Sequence, residues 1–276
     1  MPSLQSLAKT QPIKLLYMAD SGAGKTGALA SLAVAGYELF ILDFDNGLDI
    51  LIHVLKNNPE ALKRVYYQTF IDKITMGTIT QLGNNRPSYT GPVNKDPKAF
   101  TDALSFLTNG WKDEDQDFGK VDTWDNKRVL VVDSLSFMSK FALEYVSKIN
   151  GRIGQPSESD YGDAQRLIER LLALLYSDDI KCNVIVNTHV KWNENESGVV
   201  ISGAPMALGK ALGPVIPRYF NTMLFGKATG SGANAKRVIS TRPMNGVAAK
   251  CPVLDAPAEL PVETGLATFF KLWNKA

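Results

Sequence analysis

The chain is poor in the residues that many functional classes need. It has two cysteines, Cys182 and Cys251, far apart and in no metal-ligand spacing, and two histidines, His53 and His189. A Cys/His metal site has no support in that pattern. No hydrophobic run is long enough to cross a bilayer, and residues 1–10 lack the charged-then-apolar order of a secretion signal. A reduced, cytoplasmic protein without membrane contact is the expectation. A charge excess is also missing: 30 Lys plus Arg stand against 28 Asp plus Glu. The chain therefore carries no bulk basic footprint, and any contact with DNA or RNA must be local. There is no internal repeat. At 276 residues the expectation is one decorated domain over 1–276, with an N-terminal arm at 1–12, an insertion-like segment at 72–127 and a C-terminal tail at 243–276.

What is present centres on Ala19-Asp20-Ser21-Gly22-Ala23-Gly24-Lys25-Thr26. An apolar, β-prone run precedes it at 13–18, and an Ala/Leu-rich stretch without breakers follows at 27–35. That order predicts strand, loop and helix. Gly22 and Gly24 let backbone N–H groups curl around phosphates, and the helix N-terminus adds partial positive charge. Ser21, Gly22, Ala23, Gly24, Lys25 and Thr26 are thus the expected nucleotide cradle. Lys25 would reach the β- and γ-phosphates and the Thr26 hydroxyl a magnesium ion.

A second strand is predicted over 37–44, ending in acid. Asp43 and Asp45 alternate with Phe44, so in a strand their carboxylates leave one face, with Asp49 beyond. Carboxyl ends of parallel strands line the ligand crevice, which makes Asp45 the candidate to polarise an attacking water. The competing role is a helix N-cap before 48–55. Residues 129–132, Val-Leu-Val-Val, read as a strand buried on both faces. It ends in Asp133-Ser134, the form in which an aspartate holds magnesium. Residues 182–188 form a further buried strand ending in Asn187-Thr188-His189. His189 is placed to sense the γ-phosphate, with an ordinary loop histidine as the alternative, while His53 reads as a packing or surface residue.

Between these lie a third strand at 64–70, loop chemistry at 72–97, a helix at 96–110, a dense acidic run at 112–127 that reads as solvated loop, and a helix at 135–149. A flexible loop follows at 151–159, then a long helix to 176 capped by Asp160. Residues 191–217 are rich in Gly and Pro with little regular pattern until 206–212, the kind of long loop that is functional or disordered. Residues 219–227 and 236–241 predict a β-hairpin, and a short helix is predicted near 266–273.

The order of these pieces resembles the RecA-type ATPase core. The resemblance implies an α/β fold, with a mostly parallel central sheet flanked by helices and a C-terminal antiparallel hairpin. It implies Mg2+ and ATP as cofactors, Asp45 as water activator, and His189 in the place of the family's γ-phosphate-sensing glutamine. Thr26 and Asp133 become the metal ligands, and Lys25, Asp45 and His189 the catalytic set. Residues 42–47, 209–214, 217–220 and 240–243 are similar to phage-encoded ATPases of the Sak type, which act in single-strand annealing and recombination. That likeness implies a homo-oligomer, ring or filament, working on single-stranded DNA in the host cytoplasm, with a single-strand DNA-binding protein as a further partner. The matching DNA loops hold Arg152, Lys191, Trp192 and Lys210, and Arg242 and Lys250 are the candidate cations for a neighbouring protomer's site. The chain departs from RecA in having Asp45 where the family has Glu. The resulting expectation is a DNA-stimulated ATPase of recombination, annealing or repair. The alternatives are a nucleotide-gated assembly subunit with little hydrolysis and a small-molecule kinase. No Arg-rich lid favours the kinase.

Overall fold

The structure is a computed structural model that describes residues 11–73, 79–82, 86–89, 96–113, 115–152, 155–230, 235–244 and 246–275. Most of the expected N-terminal arm, parts of the expected insertion, Glu114 in the acidic run, residues 153–154 of the expected loop at 151–159, and residues 231–234 between the expected hairpin strands lie outside them. Eight strands form the central sheet: β1 (Lys14–Ala19), β2 (Glu38–Asp43), β3 (Val65–Thr69), β8 (Arg128–Asp133), β9 (Asn183–Thr188), β12 (Thr222–Thr229), β13 (Lys236–Ser240) and β14 (Glu259–Pro261). Their spatial order is β14-β13-β12-β1-β9-β8-β2-β3. From β12 to β3 all neighbours are parallel, and β13 and β14 join antiparallel. This is the expected α/β fold with its antiparallel C-terminal strands. Strand β9 lies between β1 and β8, which brings the ends of three motif-bearing strands side by side.

The continuous apolar runs of β1, β2, β8 and β9 follow from burial on both faces. Leu16, Met18, Phe40, Leu42, Leu130 and Val132 enter one core. Their alternates Leu15, Tyr17, Leu39, Ile41, Val129 and Val131 enter the other. The first core is covered by α4 (Ala99–Asn109), α5 (Leu135–Ile149) and α6 (Glu158–Tyr176). The second is covered by α1 (Lys25–Val34), together with α2 (Asp49–Leu55), α3 (Pro59–Leu62) and α8 (Val262–Trp273).

Several expectations need correction. The tail is part of the core: β14 edges the sheet, and α8 buries Leu266, Phe269 and Phe270 completely against the face that carries α1. The acidic run is not simply a solvated loop. Short strands β6 (Trp111–Lys112) and β7 (Asp117–Gly119) keep acids outside while Trp111, Phe118, Val121 and Trp124 are buried around Phe40. Arg128 spans these rings and pairs with Glu38 at 2.9 Å.

Within the segment read as loop, β4 (Ile79–Leu82) and β5 (Arg86–Tyr89) pair antiparallel. Residues 190–205 are a hairpin rather than irregular loop, β10 (Val190–Glu194) with β11 (Val200–Pro205). Here Gly203 is required by packing, since a Cβ would stand 2.7–2.8 Å from Val247, Trp192 and Val190. Ser157, not Asp160, is the N-cap of α6, and Asp160 closes the capping box from the third position. Helix α2 has no side-chain cap, which leaves Asp45 free of the capping role. Among the described residues no helix is long and apolar enough to cross a membrane.

Candidate functional site

The loop between β1 and α1 turns on two left-handed residues, Gly22 (φ 77°) and Gly24 (φ 91°), a conformation that costs a residue with a Cβ far more than glycine. Gly24 has a second reason to be glycine, because a Cβ there would meet Val262 Cγ1 at 3.0 Å and Arg237 Cδ at 3.3 Å. Ala23 N donates to Asp20 O at 3.2 Å, and the N–H groups at the start of α1, which have no partner within the helix, face the loop where an anion would sit. Lys25 is buried, and its ammonium folds onto the loop, donating to Ala19 O (2.9 Å) and Asp20 O (3.2 Å). Burial lowers its pKa, against the raising effect of Asp133, Asp45 and Asp20.

Two carboxylates close the site from the neighbouring strand ends. The Thr26 hydroxyl donates to Asp133 Oδ2 at 2.7 Å. Asp133 is buried, its Oδ1 has no hydrogen-bond partner, and desolvation pushes its pKa up to about 6. Asn187, completely buried, lies near enough to lower that value, but its amide makes no hydrogen bond of ordinary geometry. A hydroxyl beside a carboxylate with an unused oxygen is a hard-oxygen donor pair, suited to a magnesium ion that keeps most of its ligands as water or phosphate oxygen. Among the described residues no group of three or more His, Cys, Asp or Glu could hold a metal. The pair thus fits Mg2+ held with a nucleotide and not a protein-only cage.

Asp43 and Asp45 divide their work. Asp43 is buried and accepts from Thr69 Oγ1 at 2.9 Å, and burial raises its pKa. Asp45 turns into the crevice, where Oδ1 accepts from Ser134 N (3.0 Å) and Ser134 Oγ (2.8 Å). Its Oδ2 is 3.6 Å from His189 Nε2. Burial acts to raise the Asp45 pKa, but the nearby His189 ring and the hydrogen bonds from Ser134 outweigh it and hold the carboxyl below its ordinary value. On its other side His189 Nδ1 is 3.3 Å from Lys25 Nζ. An ammonium can only donate, so Nδ1 accepts and Nε2 carries the proton facing Asp45. Behind the ring, His189 N donates to Ser136 Oγ and Met206 N donates to His189 O, at 3.0 and 2.8 Å. The end of β9 is thereby tied to α5 and to the base of the β10–β11 hairpin.

Lys25, Thr26, Asp133, Asp45 and His189 are thus brought together with the cradle residues Ser21, Gly22, Ala23 and Gly24. The other candidates are not part of this cluster. Arg152 is committed to Asp160, with Nε to Oδ2 at 2.8 Å and Nη2 to Oδ1 at 2.5 Å, so its guanidinium serves the capping of α6. Arg242 donates to the carbonyls of Thr241, Leu254 and Ala256, and Lys250 Nζ donates to Phe220 O at 2.8 Å. Arg242 holds the loop after β13, and Lys250 ties that loop to the segment before β12. Lys191 and Lys210 are exposed. Trp192 is half-buried; its indole N–H donates to Asp20 Oδ1 at 3.0 Å, and its ring meets Phe225 edge-on at 6.1 Å. It sits on the phosphate loop instead of standing free.

Sequence reading missed Ser134, Asn187 and Arg237. Ser134 follows the acid-ended strand directly and Asn187 precedes Thr188 within the polar strand end, so both had a positional signal. Arg237, whose Nε donates to Gly22 O at 2.9 Å, had none, because a hairpin 215 residues away had to be placed beside the loop.

A family model described as "AAA domain" matches residues 11–253. No curated protein matches the chain. Among solved structures, a KaiC-like protein from Pyrococcus horikoshii is 11% identical, covering 86% of this chain and 87% of its own, with a TM-score of 0.39. The flagellar accessory protein FlaH from Methanocaldococcus jannaschii is 13% identical, covering 87% and 84%, with a TM-score of 0.41.

Proposed function

The chain belongs to the AAA domain family, and from that premise we propose that it binds and hydrolyses Mg-ATP and couples the cycle to single-stranded DNA in phage-type recombination, annealing or repair. The observation that carries the hydrolytic part is the bridge Lys25–His189–Asp45, with Asp45 fixed by both donors of Ser134. Lys25 exchanges the carbonyls of Ala19 and Asp20 for the β- and γ-phosphate oxygens. Asp45, ionised because its pKa is held low, orients a water and accepts its proton as the oxygen attacks the γ-phosphorus and ADP leaves. His189 keeps Asp45 and Lys25 in register and donates through Nε2 where negative charge builds. Magnesium, held by Thr26 and Asp133, would neutralise charge on the β- and γ-oxygens. Most of the acceleration in this chemistry is positioning and electrostatics, and these are what the bridge supplies.

The DNA part rests on the β10–β11 hairpin, which begins directly after His189 and touches the phosphate loop through Trp192. It carries exposed Lys191 and an exposed apolar tip of Val199, Val200 and Ile201, and Lys210 follows it. ATP turnover measured with and without single-stranded DNA, across a salt series, tests this part. A second reading has its own support: Glu194 and Glu196 make the hairpin acidic and its tip apolar, a surface chemistry suited to a protein partner. In that case the chain is a nucleotide-gated assembly subunit, and turnover is slow and indifferent to DNA. A homo-oligomer, ring or filament, completes either proposal.

A further inference from the structure

The phosphate loop is touched by one cation that no phosphate-loop motif contains. Arg237, on β13, reaches across β12 to the loop after β1, where its Nε donates to Gly22 O at 2.9 Å. Its Cδ lies against Gly24, beside Val262 at the start of α8. Among the described residues the guanidinium makes no other hydrogen bond or ion pair, so its two terminal amino groups remain unused at an exposed position.

The sheet order fixes which end of a nucleotide Arg237 faces. The carboxylates and His189, which mark the proposed place of the γ-phosphate and its metal, stand at or just beyond the ends of β2, β8 and β9, to one side of β1. Arg237 and Val262 stand on the other side, beyond β12. A triphosphate laid along the loop with its γ-end at Asp45 must leave towards β12 and β13, carrying its ribose and base past Arg237.

We propose that Arg237 is the nucleoside-side wall of the site, fixed by Gly22 O and contacting the ribose and base through its free amino groups and planar face. A guanidinium suits this position, because it stacks on aromatic faces while its edge keeps hydrogen bonds. The inference rests on the nucleotide reading above and adds to it the residue that recognises the nucleoside.

The test is equilibrium binding of ATP, ADP and inorganic tripolyphosphate to the wild-type chain, Arg237→Ala, Arg237→Lys and Lys25→Ala. The expected result is that Arg237→Ala weakens ATP and ADP alike, by about tenfold, and changes tripolyphosphate by less than about twofold. Arg237→Lys recovers little, since an ammonium has no planar face, and Lys25→Ala weakens all three. Equal weakening of tripolyphosphate by Arg237→Ala overturns the proposal, because it marks Arg237 as a prop for the loop alone. Unchanged ATP affinity overturns it as well. If wild-type protein binds neither ATP nor tripolyphosphate, the nucleotide reading itself fails, a different result from the other two.

Discussion

Thr26 and Asp133, 107 residues apart in sequence, are joined by a 2.7 Å hydrogen bond from the Thr26 hydroxyl to Asp133 Oδ2, while Asp133 Oδ1 stays buried without a partner. A buried acceptor left unpaired is costly, and a magnesium ion held there would remove that cost. Thr26→Val and Asp133→Asn should therefore raise the magnesium concentration for half-maximal turnover by about 10- to 100-fold. A magnesium titration of ATP hydrolysis checks this, and an unchanged midpoint in both variants contradicts the assignment.

Asp45 should set the acid side of the pH dependence. The Asp45 pKa is held below the ordinary carboxylate value, so Asp45 stays ionised and competent as the pH falls through the usual carboxylate range. With magnesium saturating, so that Asp133 stays ionised, the acid limb that Asp45 sets should lie below about pH 4. His189→Ala removes a lowering contact, so the limb should move up. Asp45→Asn should lose about 10²- to 10⁴-fold in kcat with ATP affinity nearly retained. An acid limb that stays in place in His189→Ala argues against the bridge.

Asp160 links stability to pH. The Arg152 guanidinium, together with Asn150 and Ser157, holds its carboxyl far below the ordinary value. A depressed folded pKa stabilises the fold above the unfolded value, near 3.9 for Asp, with the contribution lost as pH falls towards the folded one. Asp160→Asn should lower the urea midpoint at pH 7, and its deficit should shrink as the pH drops below about 4. A deficit constant with pH contradicts the ion pair as its source.

Helix α8 should behave as core. Phe270 is fully buried and meets Tyr37 edge-on at 5.3 Å. Phe270→Ala should cost about 3–5 kcal/mol by denaturant unfolding, and truncation before 262 should expose the α1 face and abolish soluble folding. A cost under about 1 kcal/mol marks the helix as dispensable.

How much of this was legible in the sequence depended on whether a feature was local. The strands ending at Ala19, Asp43, Asp133 and Thr188 announce themselves as apolar runs that end in, or lead straight into, polar residues, and the placement of Lys25, Thr26, Asp133, Asp45 and His189 follows from stacking those ends in one parallel sheet. Charge density concealed the core role of Trp111, Phe118 and Trp124, because the acids around them dominate the local composition while the rings fold inward. Glycine content concealed the β10–β11 hairpin, although Gly203 is there to let Trp192 and Val190 pack. Arg152, Arg242 and Lys250 looked available because their partners, Asp160 and the carbonyls of distant loops, become visible only after folding. Arg237 is the converse: an ordinary hairpin residue until the sheet brings β13, beyond β12, within reach of the loop after β1.

The central claim is that the Lys25–His189–Asp45 bridge turns over ATP and that the hairpin beside it answers to DNA. The measurement that tests it most directly is ATP hydrolysis with and without single-stranded DNA, in rising salt, beside Lys25→Ala. The account predicts stimulation by DNA that fades with salt, as phosphate contacts require, and no turnover in Lys25→Ala. Turnover that persists in Lys25→Ala contradicts the assigned site, and turnover that ignores DNA contradicts the assigned coupling.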